Sequence, residues 1–136
     1  MALQPARTKF RKAQRGRLRG KAVKGNSLTF GEFGLQALES GHIKTNEIEA
    51  ARKALTHYLK RGGKVWVRFM ADKPFSARPA ETRMGGGKGA PAWFVARIKP
   101  GHVLFELAGV TKVDAVEAFR LASFKLSLKV RMIEAK

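Results

Sequence analysis

Glu81-Thr82-Arg83-Met84-Gly85-Gly86-Gly87-Lys88-Gly89-Ala90-Pro91 decides how the middle of this chain is read. Glycine loses the most backbone entropy on ordering and has no side chain to pack, so this stretch predicts neither helix nor strand interior. The preceding Asp72-Lys73-Pro74 through Pro79 also reads as irregular, giving a long flexible loop over 72–91. On either side lie strand patterns, Lys64-Val65-Trp66-Val67-Arg68-Phe69-Met70 and Trp93-Phe94-Val95-Ala96-Arg97-Ile98. A loop this long inside a compact domain points to function or disorder rather than a neutral connection. Its charge leans basic, with Lys73, Arg78, Arg83 and Lys88 against Asp72 and Glu81, and its glycine N–H groups are free to approach phosphates. It is not a nucleotide P-loop: Gly89 follows Lys88 where Ser or Thr is needed, Thr82 stands in place of the first glycine, and the segment ends near a strand rather than opening a helix.

Further out, Val65, Val67 and Phe69 share one strand face and Trp66, Arg68 and Met70 the other, which predicts an inner strand. Lys99-Pro100-Gly101-His102 spells a tight turn and predicts that strand 93–98 folds onto Val103–Leu107 as an antiparallel hairpin. Before the first strand, Ile48, Ala51, Leu55 and Leu59 form an apolar helical stripe, with Thr45 as N-cap and Gly62-Gly63 as a left-handed C-terminal stop. The opposite face carries Arg52, Lys53 and Lys60, which serve either as solvated charge or as a grip on a polyanion backbone. Thr111-x-x-Asp114 matches a capping box, and the helix it opens places Ala115, Phe119, Ala122 and Leu126 on one stripe. Val116, Leu121 and Phe124 lie off that stripe, which predicts cover on more than one side. Residues 28–38 read as extended, and Leu126–Ile133 as a final alternating strand. The resulting order, β-α-β-loop-β-β-α-β, predicts an α+β sandwich with a mostly antiparallel sheet and two helices.

The 136 residues suffice for one globular domain, read here as 27–136, preceded by an arm of residues 1–26. Twenty-eight Lys and Arg against ten Asp and Glu give a formal net charge of +18, a self-repulsion that a polyanion offsets. Nine of these cations lie in the arm: Arg7, Lys9, Arg11, Lys12, Arg15, Arg17, Arg19, Lys21 and Lys24. The arm's apolar residues have no period, so the expectation is a segment that orders against phosphates. No apolar run is long enough for a transmembrane helix, and the N-terminus reads without a secretory signal. The absence of cysteine excludes disulfides and thiolate metal sites. His42, His57 and His102 have no second ligand at metal spacing and read as surface residues, and no nucleophile elbow is present. No catalytic residue, metal or cofactor is expected. Trp66 and Trp93 serve either as packing residues or as stacking platforms for bases.

Six ordered motifs carry a resemblance from end to end. They are Leu3-Gln4-Pro5 with Arg7-Thr8-Lys9-Phe10-Arg11-Lys12; Phe30-Gly31-x-Phe33-Gly34-Leu35; Ile48-Glu49-Ala50-Ala51-Arg52; Asp72-Lys73-Pro74; Arg83-Met84-Gly85-x-Gly87-Lys88-Gly89; and Pro100-Gly101-x-Val103-Leu104-Phe105-Glu106. The sequence resembles large-subunit ribosomal protein sixteen of the bacterial and organellar type. That resemblance implies a two-layer α+β sandwich of the hammerhead kind and a structural, non-enzymatic protein. It implies binding to large-subunit ribosomal RNA near the peptidyl transferase region, next to the A- and P-site tRNAs and neighbouring ribosomal proteins, with late entry into the subunit. The protein would be a monomer within a cytoplasmic or organellar ribosome and would have no membrane partner. The arm would be rRNA-binding. The loop residues Arg83, Met84, Gly85, Gly86, Gly87 and Lys88 would reach toward the tRNA, and Arg52 and Lys53 match a basic pair on the family's helix. Two departures stand out: Ala6 where a basic residue is usual, and Gly86 where Lys or Ser is frequent. Charge alone also fits a general nucleic-acid chaperone or architectural binding protein, which would bind any duplex equally.

Overall fold

The computed structural model describes residues 4–136, so Leu3 of the first motif lies outside the described residues. Seven strands and two helices follow in the order β1 (Phe33–Ala37), β2 (Gly41–Lys44), α1 (Thr45–Tyr58), β3 (Lys64–Val67), β4 (Lys73–Ser76), β5 (Pro91–Ile98), β6 (Val103–Ala108), α2 (Lys112–Ser123) and β7 (Val130–Glu134). They make two antiparallel sheets, one of order β3-β6-β1-β7 and one of order β2-β5-β4. The fold is an α+β sandwich.

Alternation on β1 settles the main core. Phe33, Leu35 and Ala37 point inward with Phe105 and Leu107 of β6, and meet Ile48, Ala51 and Leu55 of α1 and Ala115, Ala118, Phe119 and Ala122 of α2. Ile43, Ala96 and Ile98 bring the second sheet into the same cluster. At about 25 cal/mol per Å² of apolar surface removed from water, this cluster is the dominant favourable contribution to folding. Gly34 and Glu106 are register partners on the outer face of the first sheet, and Trp66 pairs with Glu106 from the other side.

Several local expectations are corrected. Strands β5 and β6 are not a hairpin: each belongs to a different sheet, with both of its ladder edges already occupied. Gly101 does take the positive φ (97°) expected of the turn. The turn, however, is fastened to the end of β1, where Ala37 N–H donates to His102 O and Gly101 N–H to Ala37 O, both at 2.8 Å. It therefore passes the chain between sheets. Strand β3 is an edge, not an inner strand. Its second face is covered by Phe30 stacked on Trp66 at 5.9 Å, not by flanking strands.

Two strands were not expected. β2 begins at Gly41 itself, and β4 lies inside the segment read as loop, which narrows the irregular stretch to 77–90. Pro74 is tolerated because β4 is an edge. Lys44, still paired with Val95, is the N-cap of α1 without a side-chain bond, so Thr45 is the first helical residue and not the cap. The left-handed stop begins at Lys60 (φ 51°) and Arg61 (φ 63°), two residues ahead of the expected glycines. On α2, Thr111 Oγ1 accepts from Asp114 N–H at 3.3 Å as expected, but Val116 and Phe124 are exposed, the latter at 69%. The four core-facing positions of α2 bury only one side of the helix.

Candidate nucleic-acid interface

From residue 4 to residue 32 the chain has no helix or strand, yet it is fastened to the domain along its length. The root is held by Glu106. This carboxylate is fully buried, and its Oε1 accepts from the backbone N–H groups of Thr29, Phe30 and Gly31 at 2.8, 3.2 and 3.3 Å. Its Oε2 pairs with Arg68 at 2.9 Å, and Arg68 also donates to Ser27 O at 3.2 Å. Burial pushes the Glu106 carboxyl up, but the N–H donors of Thr29 and Gly31, Arg68 and the N–H of Phe30 together hold it below the usual carboxylate range. Close approach explains two glycines here. A Cβ on Gly31 would lie 2.5 Å from Leu107 O, and one on Gly34 would lie 2.3 Å from Leu28 Cδ2.

Further toward the N-terminus, Val103 N–H donates to Gly25 O at 2.8 Å and Ala22 N–H to Pro100 O at 2.9 Å. The chain then crosses the outer face of the second sheet. There Lys73 Nζ donates to Arg15 O, and Lys88 Nζ donates to Ala13 O. Lys12 Nζ in turn donates to Lys88 O at 2.9 Å. Two of the predicted groups, the arm and the glycine loop, are thereby brought together. The pinning groups are largely arm carbonyls and amides, so the cationic side chains stay outward. Arg7, Lys9, Arg11, Lys12, Arg15, Arg17, Arg19, Lys21 and Lys24 are all exposed, and among the described residues none forms an ion pair.

Residues 81–88 of the loop are exposed throughout, with Met84 at 91%. Gly85, Gly86 and Gly87 take φ of 110°, 82° and 95°, and a Cβ on any of them would meet nothing within 4 Å. Their requirement for glycine is therefore conformational rather than steric.

The third group, on α1, is not joined to the other two by any hydrogen bond or ion pair among the described residues. Arg52 is engaged by Glu49, its Nε lying 2.9 Å from Oε2. This side-chain bond lowers the Glu49 pKa and raises that of Arg52. Lys53 and Lys60 are exposed.

The outer face of the second sheet holds residues that sequence reasoning missed. The β2-β5-β4 register puts His42, Lys44, Lys73, Phe75, Trp93, Val95 and Arg97 on one side. Alternation on β4 would have shown this, but Lys73–Ser76 did not read as a strand. Burial pushes Lys73 below its ordinary pKa, and Arg97, Lys88 and Arg15 add to that. His42 is packed at 4.8 Å from the Phe75 ring and is half-buried rather than fully at the surface. Burial lowers its pKa, assisted by Lys73, Arg15 and Arg97. His102 is lowered by burial and then by Arg68. Trp66 packs on Phe30, and Lys44 Nζ stands 4.4 Å over the ring of Trp93. Among the described residues no cluster of His, Cys, Asp or Glu is placed to hold a metal ion, and no helix is long and apolar enough to cross a membrane.

Residues 5–133 match the family model of ribosomal protein L16p/L10e. The chain belongs to this family of ribosomal proteins. Among its L16p/L10e relatives, large ribosomal subunit protein uL16c of Gracilaria tenuistipitata is 58% identical over 131 residues, 96% of this chain and 97% of its own length. Large ribosomal subunit protein uL16 of Trichodesmium erythraeum (strain IMS101) is 59% identical, covering 96% of each chain. The uL16 of Heliobacterium modesticaldum (strain ATCC 51547 / Ice1) is 57% identical over 132 residues, 97% of this chain and 92% of its own. The L16p/L10e match covers both the arm from Pro5 and the glycine loop.

Proposed function

We propose that this ribosomal protein is a structural, non-enzymatic constituent of the large ribosomal subunit that binds its rRNA through the basic arm and the glycine loop. The observation that carries this reading is the joining of arm and loop through Lys12 and Lys88, which leaves nine arm cations exposed and unpaired on one continuous segment. Each phosphate contact would release counterions, and the gain would offset the repulsion within a chain of formal net charge +18. The globular domain supplies the shape against which RNA helices settle. The loop 83–88, with its positive-φ glycines, extends the contact toward the A- and P-site tRNAs beside the peptidyl transferase region. Lys53 and Lys60 add further phosphate contacts, while Arg52 contributes only if RNA displaces Glu49. Neutralising phosphates where RNA helices crowd together supports late assembly of the subunit and positions the tRNAs. Residues 1–26 act as the RNA-binding arm and 27–136 as the domain that carries it.

The test has two steps. In a sucrose gradient of native lysate the protein should co-sediment with large subunits and leave them only at high salt. Binding of purified protein to large-subunit rRNA should then weaken with salt at a log–log slope of roughly −7 to −9 if about ten phosphates are contacted. A slope near zero, or equal affinity for any duplex, overturns the reading in favour of a general nucleic-acid chaperone.

A further inference from the structure

Where the arm crosses the second sheet it does not lie flush. A cleft of about 370 Å³ remains, lined by Ala13 and Arg15 of the arm, Pro74, Phe75 and Ser76 of β4, Trp93 of β5 and Lys88 of the loop. This volume lies within the range of about 300–1,000 Å³ typical of small-ligand clefts. Its walls are chemically divided. Phe75 and Trp93 are register partners with ring centroids 6.5 Å apart, and they supply an aromatic side. Arg15 and Lys88 supply cations. Two polar atoms of the lining, Ser76 Oγ and Trp93 Nε1, are buried without a hydrogen-bond partner, as is Nε2 of the adjacent His42.

Arg15 also lines a second cleft, of about 400 Å³. That cleft gathers Arg17, Lys21, Lys24, Arg97 and Lys99, and no carboxylate lines it. Six cations converging on one concavity repel one another unless an anion sits among them. Because Arg15 lines both, the two clefts neighbour each other and offer a path with an aromatic end and a cationic end.

We infer that this path binds an unpaired stretch of RNA, with one base held in the aromatic cleft against Phe75 and Trp93 and the adjoining phosphates held in the cationic cleft. The inference rests on the RNA-binding reading above and adds a site to it: a pocket for an unstacked nucleotide, distinct from phosphate contact along the arm. Every base has a face to stack on an aromatic ring, and the adjoining phosphates meet Arg15 and the cations beyond it. A duplex keeps its bases paired and cannot fill the aromatic cleft.

The experiment uses the full chain carrying Trp66→Phe, which leaves Trp93 as the sole tryptophan reporter. A single-stranded oligoadenylate, a blunt RNA duplex of equal charge and free adenosine monophosphate are titrated, with binding measured independently by anisotropy. Trp93 emission should be quenched on saturation with the single strand and left unchanged by the duplex. Phe75→Leu should weaken single-strand binding roughly tenfold without changing duplex affinity. Circular dichroism melts establish that each variant folds. Should a variant unfold, the quenching result on the Trp66→Phe protein decides alone. Quenching by adenosine monophosphate as strong as by the strand would make this a free-nucleotide site and overturn the RNA-strand proposal. If anisotropy shows tight RNA binding while Trp93 emission stays constant, the pocket is refuted and the RNA-binding reading survives. If no RNA binds, both fall.

Discussion

Glu106→Gln should loosen the arm from its root. In the native chain the Glu106 carboxylate answers three backbone donors and one guanidinium while fully buried. Removing one member of a buried ion pair costs about 3–5 kcal/mol, because the other charge stays behind without compensation. Here Arg68 retains 18% side-chain exposure, its bond to Ser27 O and its position 5.4 Å over the Phe30 ring, so the cost falls at the lower end, about 3 kcal/mol. For a domain of this size that corresponds to a loss of roughly 12 °C in Tm. Glutamine keeps the shape and one acceptor, so the change tests charge rather than packing.

The same variant carries a pH signature. The Glu106 carboxyl is held below its ordinary value in the fold, so the unfolded chain takes up the proton first. Its contribution is fully present above the unfolded pKa of about 4.3 and is lost as pH falls through the lower folded value. The wild-type melting temperature should therefore drop steeply below about pH 4.3, and the variant should show a shallower drop over the same window. Melts followed by circular dichroism at pH 7 and from pH 5 to 3 measure both effects, and trypsin cleavage at the arm arginines reports release of the root. A variant that melts within about 2 °C of wild type, with an unchanged acid slope and unchanged cleavage, refutes the claim that Glu106 anchors the arm.

Gly31→Ala places a methyl 2.5 Å from the Leu107 carbonyl, which backbone pairing prevents from yielding. It should cost about 1–3 kcal/mol, seen as a lower Tm, whereas Gly86→Ala meets nothing within 4 Å and costs only the strain of a side chain at φ 82°, about 1 kcal/mol, while reducing retention on large subunits. Burial lowers the pKa of both His42 and His102, so stability should fall as pH drops through the unfolded histidine value of about 6.5. A His42→Gln, His102→Gln protein should flatten that part of the pH–Tm curve, and a rise in wild-type stability on acidification would contradict the assignment. Thr111→Ala removes the α2 cap and should cost about 1 kcal/mol in denaturant melts.

Periodicity made the helices and the β1 core legible, because apolar positions at period 3.6 or 2 have only one way to reach a common interior. Ile48, Ala51 and Leu55 face the core as read, and so do Ala115, Phe119 and Ala122. Strand pairing was not legible. Lys99-Pro100-Gly101-His102 has the chemistry of a hairpin turn and makes the turn's backbone, yet its flanking strands go to different sheets. Local turn chemistry sets a chain reversal and says nothing about which edges are already occupied. β4 was hidden because Lys73-Pro74-Phe75-Ser76 lacks β-branched residues and contains a proline that only an edge position accepts. With β4 went the register of Lys73, Phe75 and Trp93, and therefore the pocket they form with the arm. Glu106 was visible as a residue but not as an anchor, since its backbone donors lie 75 to 77 positions away and Arg68 lies 38 away.

The way the arm is held bears on how it binds. A free basic tail would pay the full entropy of ordering when it meets RNA, and that cost subtracts from affinity. Here lysine ammoniums from β4 and the loop grip arm carbonyls, Val103 N–H grips another, and a buried carboxylate grips three amides. These bonds use the arm's backbone and, Lys12 apart, leave its guanidinium and ammonium groups free. Fastening the arm this way sets cation beside cation: Lys73, lowered first by burial, is lowered further by Arg97, Lys88 and Arg15. That repulsion is the cost of holding the arm in place before RNA arrives, and a polyanion laid along the arm removes it. Preorganised backbone and unrelieved charge act in the same direction, raising the gain on binding RNA while limiting what must be ordered to obtain it.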